Sequence, residues 1–280
     1  MPYFWTNTIW YIILGITTML VMMYILYRTE HRGKMFAFYL TASGVVFVVE
    51  AIIFLFFKAY NYYPLLVPGS TLHDGLAGNL FSQFSVASTA LLLSVFNLHY
   101  RYYILFGVVY GIIEELFLFL GIYQHNWYQT WMTIVLFPIY TYVVKRLYIR
   151  AKSKLTPFLY YVYMFLGLWA LHFGITVWPF LILGYQNFTP YVFSDPTSNM
   201  AFLTIIDYIL LYSIMYCIYI KSPKWIWQAA GIAAICLINY IEYRLQLWYV
   251  KEGWFGIYVS IRIISMYFYI RIYDKLYNHR

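Results

Sequence analysis

The stretch YGIIEELFLFLGIYQHNWYQTWMT, from Tyr110 to Thr133, sets two adjacent acids, Glu114 and Glu115, deep in an apolar run, followed by a short polar break and a tryptophan-flanked restart. A carboxylate at that depth is expensive in hydrocarbon unless it faces a partner, water or the interior of a helix bundle. Reading outward from it, the chain is a many-pass membrane protein with a buried polar site.

Composition fixes the solvent. Of 280 residues, 64% are hydrophobic and 10% charged, and the mean hydropathy is +0.68; a soluble domain has about 25% charged residues. The 10 Trp and 34 Tyr exceed what lipid contact needs, so many are expected at the two interfaces and others inside. Cys217 and Cys236 lie in apolar runs without metal-ligand spacing and read as small buried packing residues. No cofactor is expected.

Crossing the hydrocarbon takes about 20 apolar residues. The sequence predicts nine spans, near 5–27, 35–57, 78–98, 102–123, 128–146, 157–184, 200–220, 225–248 and 254–273. The expected fold is an all-α polytopic bundle. The N-terminus has no positive n-region or small-residue cleavage site and reads as a retained helix. Alternate connections, counted with the span ends, hold fourteen Lys and Arg on one side and only Lys58 and Lys251 on the other. Positive charge resists translocation, which puts the N-terminus outside and the C-terminus in the cytoplasm of a cell membrane. The +8 net charge then implies anionic lipid headgroups against the basic face, not nucleic acid.

Spacing suggests a duplication. Asn61-Tyr62-Tyr63-Pro64 and Asn187-Phe188-Thr189-Pro190 share an Asn-aromatic-x-Pro pattern, and 51 or 52 residues lead from each proline to an intramembrane acid, Glu115 or Glu242. Twelve residues beyond each acid stands a tryptophan, Trp127 or Trp254. The expected organisation is an N-terminal helix and loop over 1–34, then parallel four-helix units over 35–154 and 155–280. The aromatic loops read either as interfacial anchors or as lids, the latter using Gly69, His73, Asp74 and Gly75.

Seven charges fall inside the spans: Glu50, Glu114, Glu115, Asp207, Glu242, Arg244 and Arg262. At about 2.5–3.5 kcal/mol each at a helix centre, lipid exposure of all of them would exceed the stability of an ordinary bundle. Their depths suggest one polar cavity beneath the outer surface. The candidate ligand-binding residues are Glu115, Glu242, Asp207 and Glu50, with Arg262 as counter-ion or structural partner and Gln83 as a hydrogen-bonding neighbour. Asn239, Glu242 and Gln246 are expected on one helical face. Of the adjacent acids, Glu115 is taken as the inward one because the spacing gives it a partner. His172 reads as an interhelical hydrogen-bonding residue ahead of a metal ligand.

Catalytic readings meet specific obstacles. The intramembrane glutamate protease pattern, EExxxR with a later FxxxH, finds Phe119 in place of its arginine and Leu168 in place of its phenylalanine. A retinal Schiff base needs a mid-span lysine, and every lysine lies in a loop or at a span end. No phosphate loop, nucleophile triad or metal cluster is present in the sequence, so no enzyme is expected.

The run FKAYNYYPLLVPGSTLHDGLAGNLFSQF, followed by Glu115 and the HNWYQTW restart, resembles an uncharacterised family of small multi-pass membrane proteins from spore-forming Firmicutes. The likeness covers about 50–146 well and the second unit faintly. It implies a Gram-positive cytoplasmic membrane and carries no assigned activity. Two functional classes stay open: a non-transporting sensor, receptor or assembly partner, and a small-solute or proton/cation-coupled carrier. Both allow a small cationic ligand or a proton.

Overall fold

The computed structural model describes residues 3–67, 70–188, 196–221 and 224–278. Among them, nine helices are long and apolar enough to cross a membrane, and the chain is a polytopic all-α bundle. In chain order they are α1 (Phe4–Arg28), α2 (Arg32–Phe56), α3 (Thr71–Val95), α4 (Tyr100–Phe119), α5 (Thr130–Lys152), α6 (Pro157–Leu181), α7 (Ser198–Lys221), α8 (Trp225–Arg244) and α9 (Phe255–Asn278). Helices satisfy their own backbone groups, the requirement for spanning a medium without water.

Four short strands join them in pairs that skip over two helices. β1 (Tyr60–Tyr62) follows α2 and pairs antiparallel with β2 (Tyr123–His125), which follows α4. β3 (Gln186–Phe188) follows α6 and pairs antiparallel with β4 (Trp248–Val250), which follows α8. Each strand begins just after a residue with positive φ: Lys58, Gly121, Gly184 and Gln246. That left-handed residue ends the helix and turns the chain back across its own end.

These turns correct several expected boundaries. The fourth span stops at Phe119 and the eighth at Arg244, because the aromatic residues beyond them are extended hairpin and not further helix. The third span begins at Thr71, where the Ser70 hydroxyl accepts from the His73 backbone N–H at 3.2 Å. His73, Asp74 and Gly75 are therefore helical and not part of a lid, and Gly69 lies outside the described residues, as do Thr189, Pro190 and Arg280. Asp74 is a clamp: its carboxylate accepts the N–H groups of Leu65, Leu66 and Val67 at 2.9, 2.7 and 3.0 Å.

Packing ties the four-helix stretches together through α2 and α6. A Cβ on Gly44 would stand 1.9 Å from the Leu166 carbonyl oxygen, so these two backbones touch as only small residues permit. Nearby, the Thr41 hydroxyl and the Tyr273 phenol lie 2.5 Å apart, and both reach the Tyr163 carbonyl. Helix α1 is fastened to the first hairpin: the Tyr11 hydroxyl donates to the Ile122 carbonyl at 2.6 Å, Asn7 to the Tyr63 carbonyl at 2.9 Å and Thr8 to the Pro64 carbonyl at 2.8 Å. Cys217 and Cys236, expected to be buried, are unpaired and exposed on helix surfaces. An apolar environment around the bundle makes such an exposed thiol inexpensive, which sequence periodicity does not reveal.

Candidate functional site

Beneath the first hairpin lies a cavity of ≈ 350 Å³ between α2, α3, α4 and α5. Alternation along the strands makes its roof. Tyr60 and Tyr62 face inward and are buried while Asn61 between them faces out, and Tyr123 enters from β2. With Tyr128 these rings pack at centroid distances of 5.0 to 5.5 Å. On the other face the Tyr63 hydroxyl donates to Gln124 at 2.8 Å.

Two carboxylates point into the roofed end. Glu50 accepts a short hydrogen bond from the Tyr60 hydroxyl. Glu114 accepts one from the Thr133 hydroxyl and lies 2.5 Å from His125 Nε2. Burial, with the Glu50 charge next in importance, pushes the Tyr60 phenol well above its usual range, so it stays a protonated donor. Tyr62, Tyr123 and Tyr128 are raised by burial in the same sense. No lysine, arginine or histidine is among the described residues lining the cavity. Gln83 also lines it, is 2% exposed, and has an Oε1 without a hydrogen-bond partner; it borders a smaller cavity of ≈ 40 Å³ on the α6 side as well.

Below this end the lining becomes apolar, with Val45, Val46, Val86 and Phe137. Tyr140 reaches across to donate to the Ala42 carbonyl at 2.9 Å. Val49 on α2 and Leu136, Ile139 and Val143 on α5 line the cavity and are exposed as well, so it opens sideways between those two helices.

A second constellation lies beneath the second hairpin. Arg262, 4% exposed, donates through Nη1 to Asn239 Oδ1 at 2.7 Å and through Nη2 to Asp207, while its guanidinium lies 5.5 Å from the centre of the Tyr258 ring. Asn239 in turn donates to the Ile235 carbonyl at 2.9 Å. Glu242 borders the same place, together with Gln186 and Trp248, and the space left is ≈ 20 Å³.

The predicted residues therefore divide. Instead of one chamber, Glu50 lines one cavity and Asp207, Glu242 and Arg262 another, and the ≈ 40 Å³ cavity between them shares Gln83 with the first and Val177 and Thr204 with the second. Glu115 is a correction: it is exposed and accepts from Thr130 at 2.5 Å, and Glu114 is the acid that faces inward. Adjacent helical positions diverge by about 100°, so only one of the two could. Counted back from the helix ends, the residue matching Glu114 is Asn239, each lying five residues before the last. Gln246 is the other correction. It lies past the end of α8, exposed, at φ 56°, and shares no helical face with Asn239 and Glu242.

His172 is 1% exposed, packs on Phe173 and Tyr208, and has no hydrogen-bond partner on Nδ1. Among the described residues no group of His, Cys, Asp or Glu could hold a metal ion. Sequence reasoning missed His125 and the tyrosine roof. The signal that could have found them is the two-residue alternation Tyr60-x-Tyr62 and Tyr123-x-His125. Against known proteins, no family model, no curated protein and no solved structure matches the chain.

Proposed function

We propose that this chain is a non-transporting, ligand-binding membrane receptor or sensor whose site is the cavity beneath the first hairpin. One observation carries the reading: ≈ 350 Å³ of space is kept open around two carboxylates, of which Glu114 is met by His125 while Glu50, among the described residues, has only the Tyr60 hydroxyl. That volume falls in the range of small-molecule sites, about 300–1,000 Å³. A bundle that used Glu50 and Glu114 only as interhelical glue would gain by closing on them.

The charge split of the connections supports a hairpin side facing out and a basic side facing the cytoplasm, in contact with anionic lipid. We take the membrane to be that of a Gram-positive cell, as the resemblance of 50–146 suggests. Duplication of a four-helix unit, with α1 added in front, is supported by the matching order of helices, left-handed turns and strands.

A second reading, a proton- or cation-coupled carrier, rests on a different observation. Helices α2 and α6 both change to π-type winding near the hairpin side, over Ala51–Phe56 and His172–Val177. Interrupted helices in corresponding positions are a mark of carriers, and π-turns gather at functional sites.

The Glu50→Gln, Glu114→Gln double variant tests the receptor reading. Binding acids predict that the purified variant keeps or gains thermal stability and loses stabilisation by cationic ligands. A large fall in Tm without any change in ligand response would overturn it. Cation uptake into proteoliposomes that is driven by a proton gradient and lost in the double variant would favour the carrier.

A further inference from the structure

The geometry points to a ligand of a particular class, and we infer that the first cavity holds a membrane-resident amphiphile with a primary ammonium head and an alkyl body, admitted sideways between α2 and α5. This rests on the receptor reading and adds the chemistry of the ligand and its route.

The head follows from what the polar end lacks. Glu50 and Glu114 are carboxylates, each able to accept about four hydrogen bonds, and Gln83 Oε1 is an acceptor with none. Of the roof phenols, Tyr60 already donates to Glu50, and the Tyr128 hydroxyl lies 3.0 Å from the Thr133 hydroxyl, which also reaches Glu114. Glu114 already has His125 Nε2 at 2.5 Å, but Glu50, among the described residues, meets only the Tyr60 hydroxyl; what its side of the cavity lacks is a cation that donates, and an ammonium group offers three N–H bonds and one positive charge. The second constellation shows the same demand met from within. There Arg262, seven residues into α9, lies across Asp207 and Asn239, whereas the residue seven into α5 is Phe137, which carries no charge. The tyrosine faces of the roof favour a cation beneath them as well.

The body follows from the walls. From Thr133 to Val143 the α5 lining runs about 15 Å at 1.5 Å per residue, and below Thr133 its one polar group, the Tyr140 hydroxyl, is engaged at the Ala42 carbonyl. Val49 and Val143 flank an opening that faces the hydrocarbon, while the aqueous side is closed by buried Tyr60, Tyr62 and Tyr123. A small hydrophilic amine has no use for such walls; a chain already dissolved in the bilayer does.

The test uses the full chain in a non-ionic maltoside detergent, with thermal shift and intrinsic fluorescence as readouts. Decylammonium, hexylammonium, methylammonium, decyl sulfate and decanol serve as probes. Decylammonium is expected to stabilise the protein, with affinity gained over methylammonium by about tenfold for every two methylenes that are buried. Decyl sulfate and decanol partition into micelles comparably and should give no stabilisation. Glu50→Gln should remove the decylammonium shift. Val143→Trp, on an exposed wall position, should weaken decylammonium selectively and leave the unliganded Tm near that of the parent.

Equal stabilisation by decyl sulfate, or a decylammonium response untouched by Glu50→Gln, overturns the ammonium head. Equal affinity for methylammonium and decylammonium, both lost in Glu50→Gln, overturns the amphiphile and leaves the receptor reading standing. No response to any amine, together with a destabilised Glu50→Gln, Glu114→Gln variant, overturns both.

Discussion

Under one hairpin, two carboxylates stand on hydroxyl groups around ≈ 350 Å³ of space; under the other, an arginine lies across an acid and an amide and ≈ 20 Å³ remains. The frames are alike: a helix end, a left-handed residue, a three-residue strand and a partner strand two helices later. Helix register agrees too, with Glu114 and Asn239 five residues from their ends and Phe137 and Arg262 seven residues from their starts. What differs is the presence of an internal cation. A guanidinium lies against Asp207 and Asn239 in one constellation, while the other has a histidine at Glu114, no cation at Glu50 among the described residues, and keeps its volume. A closed polar site and an open one are thus built on like frames by different side chains at matched positions, Asn239 for Glu114 and Arg262 for Phe137.

Substitutions can break or sharpen this contrast. The largest effect is expected from Arg262→Leu, which strands Asp207 without its cation at a cost of about 3–5 kcal/mol, seen as a steep fall in Tm or in monodisperse yield. An Asp207→Leu, Arg262→Leu double variant should recover most of that loss, since replacing both members of a buried pair is often neutral. If Arg262→Leu is no worse than Glu50→Gln, the two constellations do not differ as described. Next comes Gly44→Val, which forces side-chain atoms against the Leu166 backbone; overpacking of this kind costs about 1–3 kcal/mol and should lower Tm without affecting ligand response.

Smaller changes are expected in the open constellation. Glu50→Gln keeps an acceptor for Tyr60 and should move stability by no more than about 1 kcal/mol in either direction, by thermal unfolding in detergent. Tyr63→Phe removes an exposed bond to Gln124 on the water side of the hairpin, and about 0.5 kcal/mol or less is expected. A larger effect would mean that the roof depends on its outer surface as much as on its buried rings.

The helices were legible because hydrocarbon leaves one rule for the backbone, and runs of apolar residues record it. Buried charge was legible for the same reason: Glu50, Asp207 and Arg262 line the cavities, and an acid does pair with Arg262. The hairpins were not. Three extended residues flanked by tyrosines look like an interfacial belt, and nothing local tells Tyr60 that its partner is His125. Spacing to Glu242 selects Glu115, but the ends of α4 and α8 set the register and match Asn239 with Glu114. Gln246 was assigned to a helical face because hydropathy does not mark the left-handed residue at which α8 stops.

The skipped connectivity of the first hairpin has a consequence for biogenesis. As the chain leaves the ribosome, Glu50 and Tyr60 emerge with the second span, but the strand that covers them, and Thr133 behind it, come only after two further crossings have been threaded. The order of synthesis therefore leaves Glu50 with the Tyr60 hydroxyl as its side-chain partner until β2 is made, and an unshielded carboxylate is costly in hydrocarbon.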